Sequence, residues 1–503
     1  MPGFSIGTGS IALADFAAAA LEPATVVEVT EEAWQQVRDS RDLVDAAAAA
    51  GQPVYGLNTL LGSGRNTPVE ASKILAFQVQ LVRYHASGIG EFLAAGQTRA
   101  VLRSRLIGFA RGGSGVRAET VEFYRQLLNQ GILPAIPRTG SVGSSDLTAL
   151  AAVASVAIGE GQAHDQAGNL VAGAEALAGA GIEPLVLQGL EGLALVSANS
   201  YTVGVGVLQL DKLHRLVELA DTALVLSLEA IGRLGGAAQL DAYSPIIAQA
   251  KGSRGLAESI SRIQELLRGS WLAQPGRDGG VQDPLSFRSA PQTHGAVRAQ
   301  TGILAAALQA ELDGRGENPL VDAPSGRLVS GGNFQITELA LAFEGLRLGL
   351  AHLGHISERR IAKLFPAQRE LRQARLAAAE STPEDDGFPG LLWYSAAALL
   401  AELKALAQPV TLGAPTLSAD VEDHSTLAPL ALQQLERSIE LSVELLVIEA
   451  LTAVYLLGSE TLRSRPLGEA AGAIHQALST LLDERLPAAE LILRAGQLLW
   501  SRP

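Results

Sequence analysis

Leu430 to Leu457 reads LALQQLERSIELSVELLVIEALTAVYLL. The run contains neither glycine nor proline, and Leu, Ile and Val return at three- and four-residue intervals. That period puts the apolar side chains on one stripe of an α-helix. Pro429 stands just before it, where a fixed φ and a missing N–H suit a helix start. At a rise of 1.5 Å per residue the helix is ~42 Å long. A helix of that length with one apolar face packs into a bundle of similar helices, and such bundles often continue across subunits. The stretch predicts a mainly α protein built around long helices.

The composition agrees. Of 503 residues, 48% are hydrophobic and only 4% aromatic. The core is therefore filled by Ala, Leu, Val and Ile, which let helices approach closely. A net charge of −14 offers no attraction to nucleic-acid phosphates or anionic lipid, so neither is expected as a partner. The absence of cysteine excludes disulfides, thiolate catalysis and cysteine metal sites. The N-terminal MPGFSIGTGSIALADFAAAALEP has no basic region, and Asp15 interrupts its apolar stretch. No signal peptide is expected, and a cytoplasmic protein is. The apolar run Leu193–Leu210 carries Ser197, Asn199, Ser200, Tyr201 and Thr202, and reads as a core helix rather than a membrane span.

Outward from the long helix, periodicity predicts helices over Glu31–Ala50, about 70–94, about 97–112 and about 118–130. Gly51 and Pro53 end the first, and Gly112, Gly113 and Gly115 precede the last. Tyr55–Pro68 and Ile132–Asp146 are rich in glycine, proline and hydroxyl residues and read as loops, the second opening into a helix at about Leu147. Further breaks are expected near 272–295, 313–334 and 380–390. The Gly56–Gly64 string lacks the Gly-Lys-Ser/Thr ending of a phosphate loop. His352 and His355 share a helix face, but no other ligand cluster joins them, so no metal site is expected. Ser357-Glu358-Arg359-Arg360 reads as a salt-bridged helix face.

Function becomes legible in a series of strings. They are Tyr55-Gly56-Leu57-Asn58-Thr59, His85-Ala86-Ser87-Gly88-Ile89-Gly90, Ala110–Arg117, Gly140-Ser141-Val142-Gly143 and Glu191-Gly192-Leu193-Ala194-Leu195. Later come Gln282-Asp283-Pro284 with Arg288 and Gln292, Glu317-Asn318-Pro319-Leu320, Ser330–Phe334, Ser357–Arg360 and Glu422-Asp423-His424. In this order and spacing the chain resembles the histidine and aromatic amino-acid ammonia-lyases over about 30–460. The resemblance implies the ammonia-lyase fold, with a mixed N-terminal active-site region over 1–200 and a long-helix tetramerisation bundle over 201–503. It also implies a homotetramer whose active sites draw on three subunits.

In that family an Ala-Ser-Gly triad cyclises to 4-methylidene-imidazole-5-one (MIO), an electrophile that captures the substrate amine before a tyrosine removes the β-proton. The resemblance assigns that tyrosine to Tyr55. It gives Arg288 the substrate carboxylate, for which a planar two-pronged donor is suited. Gln282, Leu285 and Gln292 accompany Arg288 in the substrate site, and Phe334 stands beside the electrophile. Glu422 and His85 face the substrate's distal group. A glutamate there resembles histidine lyases more than phenylalanine or tyrosine lyases, and points to a polar or imidazole-like group.

The chain departs from the pattern where the electrophile forms. The family reads Gly-Ser-Val-Gly-Ala-Ser-Gly-Asp-Leu; here Val142 is followed by Gly143-Ser144-Ser145-Asp146-Leu147, one residue short. Either possible triad, Gly143–Ser145 or Ser144–Asp146, places a side chain on the attacking residue, where glycine's permissive backbone is wanted. The asparagine that polarises the electrophile aligns with Ser197, with Asn199 nearby, and the family's second tyrosine aligns with Leu285. No cofactor is therefore expected, with Ser144 and Ser145 standing where MIO would form. The leading expectation is elimination from an amino acid or related carboxylate without MIO. An MIO-dependent lyase or aminomutase and a catalytically silent ligand-binding tetramer are the alternatives.

Overall fold

The computed structural model describes residues 2–234, 238–274, 281–378, 388–458 and 465–500. It is mainly helical, and the run that opened the sequence reading lies in one helix, Ala428–Leu457. Pro429 falls inside its first turn, where the absent N–H removes no intrahelical bond. Two other long helices are Ser200–Arg233 and Thr337–Ala378.

The chain forms two compact units. The first comprises Met1–Leu210, Leu304–Phe343 and Pro409–Gln433; the second comprises Asp211–Ile303, Glu344–Gln408 and Gln434–Pro503. The expectation divided the chain once, at 200/201; here the first unit's opening segment ends at Leu210, and two later segments return to that unit. Most boundaries fall inside helices, so no linker composition marks them in the sequence.

In the first unit, helix Glu31–Ala49 starts where the Thr30 hydroxyl accepts the Ala33 N–H, and Ala118–Gln130 ends on Gly131 at φ +68°. The helix expected over 70–94 is shorter. It runs Ile74–His85 and gives way to strand Ile89–Phe92, which pairs with Pro137–Thr139. Gly88 and Gly90 cause the break: a side chain on Gly88 would meet Pro137 at 3.1 Å, and Gly90 takes φ +88°. Short pairs such as Gly3–Ile6 with Val26–Val29 and Leu320–Asp322 with Arg327–Val329 complete the mixed character. The Leu193–Leu210 run is interior, with most of its residues below a tenth exposed. This is the burial of a core segment.

In the second unit the Ser357–Arg360 segment is salt-bridged, as expected, but mostly inward: exposed Arg359 pairs with Glu358, while Arg360 and Ser357 are wholly buried and both bond Glu449. Arg360 reaches the two Glu449 carboxylate oxygens at 2.5 and 2.7 Å, and Ser227 adds a bond at 2.8 Å. Glu358 is buried too, accepting from the Trp393 indole at 2.7 Å. The sequence shows these charges but not the carboxylate on a distant helix that draws them inward. The break expected at 380–390 lies mostly outside the described residues.

Candidate active site

The first unit contains a cavity of about 750 Å³. Tyr55, His85, Ser144, Ser145, Ser197, Phe334 and Glu422 all line it. They come from sequence positions spread over most of the unit, so folding rather than local sequence assembles them.

A buried glutamine sets the tyrosine's place. Gln78 donates to the Gly56 carbonyl at 2.9 Å and accepts the Gly192 N–H at 2.8 Å. It thereby ties the residue after Tyr55 to the helix that presents Leu193 and Ser197. Two glycines permit the approach. A Cβ on Gly192 would lie 2.5 Å from the Gln78 carbonyl oxygen, and one on Gly56 would lie 2.3 Å from Leu193. The Asn58 side chain bonds the backbone of Gln52 and Val54 and so closes the loop behind Tyr55. The sequence reading missed Gln78. Its signal is position: Ile74, Gln78, Leu81, Val82 and His85 share one helix face, and a polar group there must be buried and bonded.

The Tyr55 hydroxyl accepts the Gly62 N–H at 3.0 Å. Burial pushes its pKa above the usual phenol value, and the negative charge of Glu422 adds to this; the Gly62 bond and the Arg65 guanidinium oppose them. His85 donates from Nδ1 to the Leu81 carbonyl at 2.8 Å, since a carbonyl can only accept, which leaves Nε2 unprotonated in the neutral ring. Arg65 also lines the cavity and was not anticipated from sequence.

The loop before Leu147 is clasped on three sides. The Thr426 hydroxyl donates to the Gly143 carbonyl at 2.9 Å, and the Leu427 N–H to Val142 at 2.8 Å. Ser144 Oγ lies 2.8 Å from Ser425 Oγ. Ser145 adopts φ +65°, a left-handed conformation that favours glycine, and its Oγ lies 3.2 Å from Ser197 Oγ. Asp146 is fully buried and accepts from the Thr202 N–H and hydroxyl, each at 2.8 Å. Burial raises its pKa to about 7. Asn199 does not replace Ser197 at the cavity: its amide donates to the Phe334 carbonyl at 2.9 Å, and its oxygen is buried without a partner.

Gln282, Leu285, Arg288 and Gln292 belong to the second unit and are not among the residues lining this cavity. Asp283, between them, accepts from the Ala238 and Gln239 N–H groups and so fixes a turn. Arg288 ends the short helix Leu285–Arg288, with its Nε buried and without a hydrogen-bond partner.

A family model for aromatic amino acid lyase matches residues 11–480. A histidine ammonia-lyase of Anaeromyxobacter dehalogenans is 37% identical over 451 residues, 88% of this chain and 86% of that one. Among solved structures, an ergothioneine-degrading ergothionase from Treponema denticola superposes with a TM-score of 0.87 at 25% identity, covering 99% of both chains. The histidine ammonia-lyase of Trypanosoma cruzi gives 0.85 at 26% identity, covering 100% of this chain and 94% of that one. The chain belongs to the aromatic amino acid lyase family, the carbon–nitrogen lyases that include the histidine ammonia-lyases.

Proposed function

We propose that this lyase eliminates an amine from an amino acid or related carboxylate, with Tyr55 as the base, and that it does so without MIO. The observation carrying this reading is the Ser145 turn. In either triad the amide nitrogen that would close the ring belongs to a residue with a side chain: Ser145, held in a left-handed conformation with its hydroxyl against Ser197, or Asp146, whose N–H donates to the Ala198 carbonyl at 2.7 Å. Ser197 in turn occupies the place of the family's polarising asparagine, and Asn199 is engaged with Phe334. The residues present do not fit the cyclised group. Ser144 and Ser145 then act as hydroxyl contacts on the cavity wall.

His85 and Glu422 support an imidazole-like distal group, as do relatives named for histidine and a structural neighbour that degrades ergothioneine. Arg288, with Gln282, Leu285 and Gln292 beside it, binds the carboxylate. We propose that a second copy in a cytoplasmic homotetramer supplies this arginine. Intact mass tests the central point: an unmodified chain is expected, and a deficit of about 36 Da, two waters, refutes it. Tyr55→Phe is expected to abolish turnover while sparing binding.

A further inference from the structure

Among the described residues lining the cavity, the formally charged groups are Arg65, on the Tyr55 loop, and Glu422. The other titratable groups are Tyr84 and His85, from the helix Ile74–His85. Ionising Tyr55 to serve as a base places a second negative charge in the cavity that Glu422 also lines. Two anions sharing a partly desolvated space oppose each other, so the phenolate forms less readily with Glu422 in the same cavity. The Gly62 N–H aimed at the phenol oxygen is built to hold a phenolate, yet burial and Glu422 keep the proton on.

A charge that offsets Glu422 is one that a substrate can bring. The α-carboxylate is held by Arg288 in the proposed assembly, away from the distal group, so the charge set against Glu422 depends on the side chain. We propose that Glu422 couples the charge of the substrate's side chain to the protonation of Tyr55: a cation seated at Glu422 releases the tyrosine proton to solvent, whereas a neutral ring leaves it in place. The pairing rests on Tyr55 being the base, as proposed above. It makes Glu422 a specificity residue that acts on rate as well as on binding. A cationic side chain, such as imidazolium, completes the base, and a phenyl group of similar size can fill the cavity without doing so. By linkage the effect is reciprocal, so ionised Tyr55 binds the cation more tightly than the phenol does.

The test reads tyrosinate absorbance against pH in the full-length protein, with Tyr55→Phe subtracted to isolate Tyr55. The probes are 1,3-dimethylimidazolium, a permanent cation, and 1-methylimidazole, which is neutral in the alkaline range. The cation is expected to lower the Tyr55 midpoint by about one pH unit or more, and the neutral ring to leave it unchanged. Glu422→Gln is expected to lower the midpoint with no ligand present and to abolish the response to the cation. Equal effects of the two probes, no effect of the cation at any concentration, or a Glu422→Gln midpoint equal to that of the unsubstituted protein would each overturn the proposal. These outcomes are separable from failure of the base assignment. That assignment falls if Tyr55→Phe still turns over substrate, whatever the titration shows.

Discussion

Replacing Asp146 with asparagine should remove a pH dependence of stability that the structure assigns to this one group. Asp146 has no exposed surface, and its carboxyl accepts from both the N–H and the hydroxyl of Thr202. Burial outweighs these bonds and raises its pKa to about 7. In an unfolded chain an aspartate titrates near ~3.9. Below that value both states hold the proton and the contribution to stability is fully present. Between roughly pH 4 and 7 the unfolded chain gives the proton up while the fold retains it, so stability falls as pH rises. A difference of about three units, at 1.36 kcal/mol each, bounds the loss at about 4 kcal/mol. Asparagine keeps a neutral oxygen for Thr202 and has nothing to titrate. Thermal unfolding midpoints of both proteins, taken across roughly pH 4.5 to 8.5, should nearly coincide at the acid end. They should separate with rising pH, the variant becoming the more stable. Parallel profiles would refute the reasoning, because they would mean that Asp146 carries the same proton in both states.

Gln78→Leu keeps the volume but leaves the Gly56 carbonyl and Gly192 N–H unpaired, at about 1–3 kcal/mol for each buried group; a variant as thermostable as the parent would count against Gln78 as the link between these segments. Glu449→Ala strands the Arg360 guanidinium in the interior of the second unit and should destabilise by about 3–5 kcal/mol, read as a lower unfolding midpoint. Arg288→Ala should weaken binding of an imidazole- or phenyl-acrylate roughly ten- to hundredfold in calorimetry, the equivalent of losing about 1.5–3 kcal/mol of charge-assisted bonding.

The fold was legible wherever a local rule governed. Leu430–Leu457 announced its helix by period, and Thr30 and Gly131 mark ends that the structure places within a residue or so of the reading. The helix ending at His85 was overextended because Ile89 and Phe92 stand three residues apart, a spacing that suits a helix, and Gly88 and Gly90 were the deciding signal. Burial of charge was illegible. Nothing near Arg360 in sequence shows that Glu449 awaits it; the cluster predicts salt bridges but not how deep they lie. For the site, resemblance rather than any local pattern drew together Tyr55, His85, Ser144, Ser145, Ser197, Phe334 and Glu422, which line one cavity. Arg65 was missed because it lies outside the strings that carry the resemblance, although it lines the same cavity.

Two of the departures from the family pattern, which look independent in sequence, meet in space. In the proposed alignment Ser145 is one of two residues that could stand for the ring-closing glycine and Ser197 stands for the polarising asparagine; their hydroxyls lie 3.2 Å apart, both buried. A glycine at 145 would relieve the left-handed strain but leave the Ser197 hydroxyl without this partner. An asparagine at 197 would bring a larger amide against the Ser145 side chain. Each serine therefore makes the other more tolerable, and reverting one alone trades a gain for a loss. Gly143 closes the remaining route to the family triad. A methyl group there would lie 2.2 Å from the Thr426 hydroxyl and 2.9 Å from the Leu427 nitrogen, on a backbone at φ +90°. The shortened loop is thus held in its present form by its neighbours on both sides. On the proposed reading without MIO, the change is better understood as the replacement of one packed arrangement by another than as scattered decay around the proposed base.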